Sequence, residues 1–94
     1  MQIREKVGKC KILSVAGTSY RESEIRAAME KRGGIASLVP EPDNAHDSEA
    51  VKVVVNGQHV GYIPRSNRVP FTTPIHLCKM GADPPHVWIA VQDL

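Results

Sequence analysis

The strongest local constraint in this 94-residue chain is the run Ala50-Val-Lys-Val-Val-Val55, followed at once by Asn56-Gly57. Val51, Val53 and Val55 recur with period two, the repeat of a strand with one buried face. Asn and Gly both tolerate positive φ, which a two-residue type I′ turn demands at both of its positions. Gln58 to Ile63 then returns as the partner strand. An aliphatic hairpin is therefore expected in the middle of the chain, and the remaining elements have to pack against it.

Those elements are short. Val7 to Ala16 mixes apolar residues with Lys9, Lys11 and Ser14 in a rough two-residue period, a half-exposed strand ended by Gly17. Ser19-Tyr20-Arg21-Glu22 has the capping-box pattern, in which the serine hydroxyl and the glutamate satisfy each other's backbone. Ile25, Ala28, Met29 and Arg32 follow at helical spacing, and Gly33-Gly34 supplies the left-handed stop. Ile35 to Glu41 predicts a second strand, closed by Pro40 and Pro42, which cannot donate to a central ladder. The loop over 42–47 is rich in side chains that bond their own backbone.

Thr73-Pro74 fits an N-cap with proline at the first helical position. Ile75, Leu77, Cys78 and Met80 then predict a second short helix before Gly81. Asp83-Pro84-Pro85 is a turn, and His86 to Gln92 a last strand, with Val87, Ile89 and Val91 on one face and Trp88 on the other. Five short strands with two small helices predict a mainly β, compact barrel rather than a βαβ sheet. Residues 1–94 suffice for a single domain.

Composition excludes several classes. The only aromatic residues are Tyr20, Tyr62, Phe71 and Trp88, so the core must be aliphatic and an exposed aromatic would point to binding. No apolar run approaches the roughly 20 residues that cross a bilayer. Met1-Gln-Ile-Arg-Glu-Lys-Val lacks a secretory apolar segment, which makes an intracellular, cytoplasmic location the default. Cys10 and Cys78 are expected as two reduced thiols. Beginning at Met1 and ending on a strand fits a complete small protein or an excised domain equally.

The net charge of +2 does not by itself imply nucleic acid. Residues 1–21 carry five basic and one acidic side chain, whereas residues 22–50 carry three basic and seven acidic. This pattern is either an ordinary mixed surface or a basic flank that attracts phosphate beside an acidic strip. Paired zinc-ligand spacing is absent, since only His76-x-Cys78 is local. No nucleophile elbow, phosphate loop or catalytic Cys/His couple is recognisable. The expectation is a protein without metal, cofactor or enzymatic activity.

Five segments in register carry a family resemblance: Val15-Ala-Gly-Thr-Ser-Tyr20, Leu38-Val-Pro-Glu-Pro-Asp-Asn44, His46-Asp47, Ala50-Val51-Lys-Val53 and Gly61-Tyr62-Ile63-Pro64-Arg65. Together they resemble the HIRAN domain over residues 12–65. The resemblance implies a small OB-like or SH3-like β-barrel that reads single-stranded DNA ends with a preference for a free 3′ hydroxyl. Two matched positions depart from the eukaryotic pattern. Ser19 stands where those proteins can carry an arginine, and His46 where they can carry a stacking tyrosine.

On that resemblance, Asp47 would accept a hydrogen bond from a terminal 3′ hydroxyl; alternatively it caps its own loop by accepting from backbone N–H groups. Asn44 belongs to the same loop. Tyr20 and Tyr62 would stack on bases, or pack within the protein. His46 would stack weakly or donate to phosphate when protonated. Arg21, Arg65 and Arg68 offer the planar fork that suits phosphate oxygens, and Lys9 and Lys11 would extend the track. The expected partner is a single-stranded nucleic-acid end, DNA above RNA. A protein-interaction module is the competing function, using the acidic segment with Phe71 or Trp88 as an anchor for a DNA-processing protein.

Overall fold

A computed structural model describes residues 9–93, with side chains described for 10–92; the expected start of the first strand at Val7 lies outside them. The order is β1 (Lys9–Ser14), a 3₁₀ turn at Thr18–Tyr20, α1 (Glu22–Met29), β2 (Ala36–Pro40), β3 (Val51–Val55), β4 (Gln58–Tyr62), a 3₁₀ turn at Arg65–Asn67, β5 (Ile75–Ala82) and β6 (Pro85–Asp93). The strands form two antiparallel three-stranded sheets, ordered β2-β3-β4 and β1-β6-β5.

The central hairpin folds as its sequence dictates. Asn56 and Gly57 adopt φ of 51° and 85°, and Val51, Val53 and Val55 are all buried. Asn56 does more than turn the chain. Its Nδ2 donates to the Ala28 carbonyl at the end of α1 at 3.0 Å, and its Oδ1 accepts from the Ile35 amide at 3.1 Å. One side chain thus ties the helix, the entry to β2 and the hairpin together.

The expected helix over 75–80 is instead strand β5. Ile75, Leu77, Met80 and Ala82 lie opposite Val91, Ile89, Val87 and Pro85 of β6, with the register shifting between Leu77 and Lys79. A bulge inserts one residue without a cross-strand partner. The inward residues therefore fall at spacings of two, three and two, and the middle step imitates a helical repeat. Pairing along β6 overrode a local pattern that carries no information about its neighbour.

The capping box also fails to form. Ser19 lies in the 3₁₀ turn, Arg21 occupies the N-cap without a side-chain cap bond, and Glu22 instead pairs with Arg26 at 2.8 Å. α1 is held by burial of Ile25 and Ala28 against β4 and β5. Among the described residues there is one α-helix with two 3₁₀ turns, and the sheets do not close into the expected barrel.

Among the described residues, the two sheets meet at one isolated bridge, Ala16 with Tyr62. The Ala16 amide donates to the Tyr62 carbonyl at 2.8 Å, and the Tyr62 amide returns to the Ala16 carbonyl at 2.9 Å. This close approach requires glycine at position 61, where a Cβ would collide with the Ala16 carbonyl oxygen and a Val15 methyl. Around the junction, Leu13, Val15, Ile25, Leu38, Val53, Val60, Val87 and Ile89 form one aliphatic core. Cys10 and Cys78 lie on the two edge strands of the β1-β6-β5 sheet and are not bonded to each other.

Candidate functional site

The segment between β2 and β3 is wound around Asn44. Its Oδ1 accepts from the amides of His46 at 2.8 Å and Asp47 at 2.9 Å, an Asx-type arrangement that replaces backbone pairing. The Ala50 amide donates to the Asp47 carbonyl at 3.0 Å, and the Glu41 amide to the Ala50 carbonyl at 2.9 Å. The base of the loop is thereby stitched onto the sheet, and His46 and Asp47 are presented at its rim.

Glu41 holds this loop against strand β4. One carboxylate oxygen accepts from Asn44 Nδ2 and from the Tyr62 hydroxyl, each at 2.7 Å. The Asn44 bond, then the Tyr62 bond, holds the Glu41 carboxyl below the usual glutamate range. Burial and the same carboxylate push the Tyr62 phenol upward, so Tyr62 stays a neutral donor. His59 meets the Tyr62 ring edge-on, with centroids 4.8 Å apart. Burial lowers the His59 pKa, and the positive charges of Arg21 and Lys52 lower it further.

Asp47 is engaged rather than free. Oδ1 accepts from the Glu49 amide at 3.0 Å, while Oδ2 pairs with Arg68 and faces Arg65 Nε at 3.4 Å. The Arg68 bond foremost, then the Glu49 amide, holds the Asp47 carboxyl below the usual aspartate range. The loop-capping role therefore exists, and the carboxylate also anchors two arginines. Arg68 is partly buried and Arg65 largely exposed; Arg68 Nε is buried without a hydrogen-bond partner among the described residues.

These groups surround an open depression of about 360 Å³. Asn44, His46, Asp47, Tyr62, Arg65 and Arg68 line it, over a floor that includes Ala16, Ala50 and Ile63. Six of the eight residues singled out from the sequence are thus brought to one place. A smaller depression of about 140 Å³ shares Arg68 and is lined by Lys11, Ser66 and Asn67 among others. Lys11 is therefore placed to extend a cationic track, whereas the Lys9 side chain lies outside the described ones.

The other two residues stand apart. Tyr20 is 87% exposed on its 3₁₀ turn and is not packed between the first strand and the helix. Arg21 pairs with Glu24 at 3.5 Å and stays close enough to act on His59 and Tyr62 through its charge. Sequence reasoning missed Glu41 as a working residue, and missed His59. Their signal is non-local: Val39 pairs with Lys52 and Lys52 with Tyr62, so Glu41 reaches Tyr62 only once β2 has docked on β3.

No group of three or more His, Cys, Asp and Glu side chains suited to a metal converges among the described residues. No helix among them is long and apolar enough to cross a membrane. The arrangement offers a hydrogen-bonded rim, a neutral aromatic and two arginines around a shallow floor that includes Ala16, Ala50 and Ile63, groups able to stack on a planar ring and to hold an anion.

The family model of the HIRAN domain matches residues 9–72, which contain every residue of the larger depression. The chain belongs to the HIRAN domain family. HIRAN domains are binding modules for single-stranded DNA and DNA ends rather than catalytic units, so nucleic-acid binding is the general function the family supports. No curated protein and no solved structure matches the chain.

Proposed function

We propose that this HIRAN domain binds the end of a single DNA strand in the depression between Tyr62, the Asn44–Asp47 loop and the two arginines, with Asp47 accepting from a free 3′ hydroxyl. The observation that carries the proposal is the convergence of Asn44, His46, Asp47, Tyr62, Arg65 and Arg68 on one opening. A terminal hydroxyl can donate to the Asp47 carboxylate, whereas a further phosphate would bring negative charge against it. Arg65, largely exposed, can turn from Asp47 to the adjacent phosphate, since its fork suits phosphate oxygens.

Tyr62 contributes its ring to the terminal base while its hydroxyl stays on Glu41. Tyr20 and Arg21 lie outside the depression lining and would serve the nucleotides that follow. The acidic segment gives little support to a protein partner, because Glu22, Glu24, Glu41 and Asp47 are taken up in bonds within the chain.

The test is an anisotropy titration of three labelled single strands, ending in a 3′ hydroxyl, ending in a 3′ phosphate, or exposing only a 5′ end. The 3′-hydroxyl strand should bind tightest. Equal affinity for all three would overturn the end preference, and no binding at low salt would overturn nucleic-acid binding at this site.

A further inference from the structure

The outer face of the β1-β6-β5 sheet plays no part in the depression. Opposed residues of a ladder share a face, and the register assigns Leu13, Ile75, Val87, Ile89 and Val91 to the core side. The opposite side carries Ile12 facing Ala90, Ser14 facing Trp88, and on the other edge His76 facing Ala90 and Lys79 facing Trp88. Gly81 faces His86 in the last row, and a Cβ at 81 would run into that imidazole. The glycine thus lets the His86 ring lie along the sheet next to Trp88's row, where its Nδ1 is 2.8 Å from the Pro84 carbonyl oxygen.

Two observations separate this face from an ordinary exposed surface. Trp88, the only tryptophan of the chain, is 39% exposed at the centre strand, with Ile12 54% exposed beside it. Among the described side chains on the ladder positions of this face, the ionisable ones are Lys79, His76, His86 and the thiol of Cys10; none is a carboxylate. An exposed aromatic beside a lysine and two imidazoles, with no carboxylate in the same rows, is the composition of a surface on which bases stack and phosphates are held. A second copy of the chain fits less well, because a face without carboxylates offers Lys79 no opposite charge across a two-fold axis.

We propose that this outer sheet face is a second binding surface, one that takes the internal nucleotides of a single-stranded nucleic acid on Trp88, with Lys79 and His76 at the flanking phosphates. It needs no strand end and stands independently of the depression. A strand without ends therefore isolates it.

The experiment titrates the chain with circular single-stranded DNA and reads Trp88 emission, which reports this face alone because no other tryptophan exists. Emission should be quenched in a saturable, salt-sensitive manner, and Arg68→Ala in the depression should leave that quenching in place. Lys79→Glu should weaken the circular strand in the same emission titration, and Trp88→Ala, which removes the only tryptophan and is followed by anisotropy of a labelled circle, should weaken it roughly 5- to 150-fold, the range for losing one base–aromatic stack. Circular dichroism of both variants checks the fold; should Trp88→Ala be unfolded, Lys79→Glu with the native tryptophan carries the test. Unchanged emission at saturating circular DNA overturns the proposal, as does quenching that follows protein concentration without DNA, the mark of self-association. Loss of 3′-end preference with retained quenching would remove the end proposal and leave this one standing.

Discussion

At the scale of single residues, the site is built from groups whose charge state is set by immediate neighbours. His59 is the clearest case. Burial, aided by Arg21 and Lys52, favours its neutral form in the folded protein. The unfolded chain then binds the proton more readily, so this residue's contribution is intact above about 6.5 and is lost as the pH falls below that ordinary value. Urea midpoints followed downward through that range should decline, and His59→Phe, which keeps a ring edge for Tyr62, should flatten the decline. Asp47 and Glu41 have the opposite chemistry and the same direction. Their lowered pKa values stabilise the loop above the ordinary carboxylate range, and this contribution goes as acid protonates them.

At the scale of elements, legibility followed locality. The Asn56-Gly57 hairpin, α1 and the strand around Val87 and Ile89 could be recognised because their signals are periodicity and turn chemistry within a few residues. β5 could not, because its bulge at Cys78 is defined only against β6, and no window around Thr73-Pro74 contains β6. The candidate site divides in the same way. The loop residues from Asn44 to Asp47 announce themselves, but the grip of Glu41 on Tyr62 depends on two strand pairings. Asn56 joins both categories, being an evident turn residue with distant bonds that the sequence does not reveal. Asn56→Gly keeps the positive φ and removes those bonds. It should cost about 1–3 kcal/mol, the range for stranding hydrogen-bonding groups. Hydrogen exchange should show the end of α1 losing protection while the hairpin amides keep theirs.

For the whole molecule, the decisive feature is that two sheets share a core yet join their ladders at one bridge beside the site. Gly61→Ala should cost about 1–3 kcal/mol in urea unfolding, the usual range for an overpacked position. The amides of Ala16 and Tyr62 should exchange faster than in the parent chain. A variant that unfolds no more easily would show that the junction relaxes around the added methyl.

The Asp47 carboxylate, already shared by Arg68 and Arg65, has a consequence for ion linkage. Single strands release counterions in proportion to the phosphates neutralised, with a slope of roughly 0.7 per phosphate. On the strand-end proposal, Asp47 offsets part of the charge of the two arginines, so a phosphate entering the depression is neutralised less completely and releases fewer of the strand's condensed cations. The salt dependence of strand-end binding should therefore be shallower than two arginines would ordinarily produce. Asp47→Asn should steepen it, tightening internal and 3′-phosphorylated strands while erasing the advantage of the hydroxyl end. On the strand-end proposal, selectivity is gained by keeping the cations partly occupied before the DNA arrives.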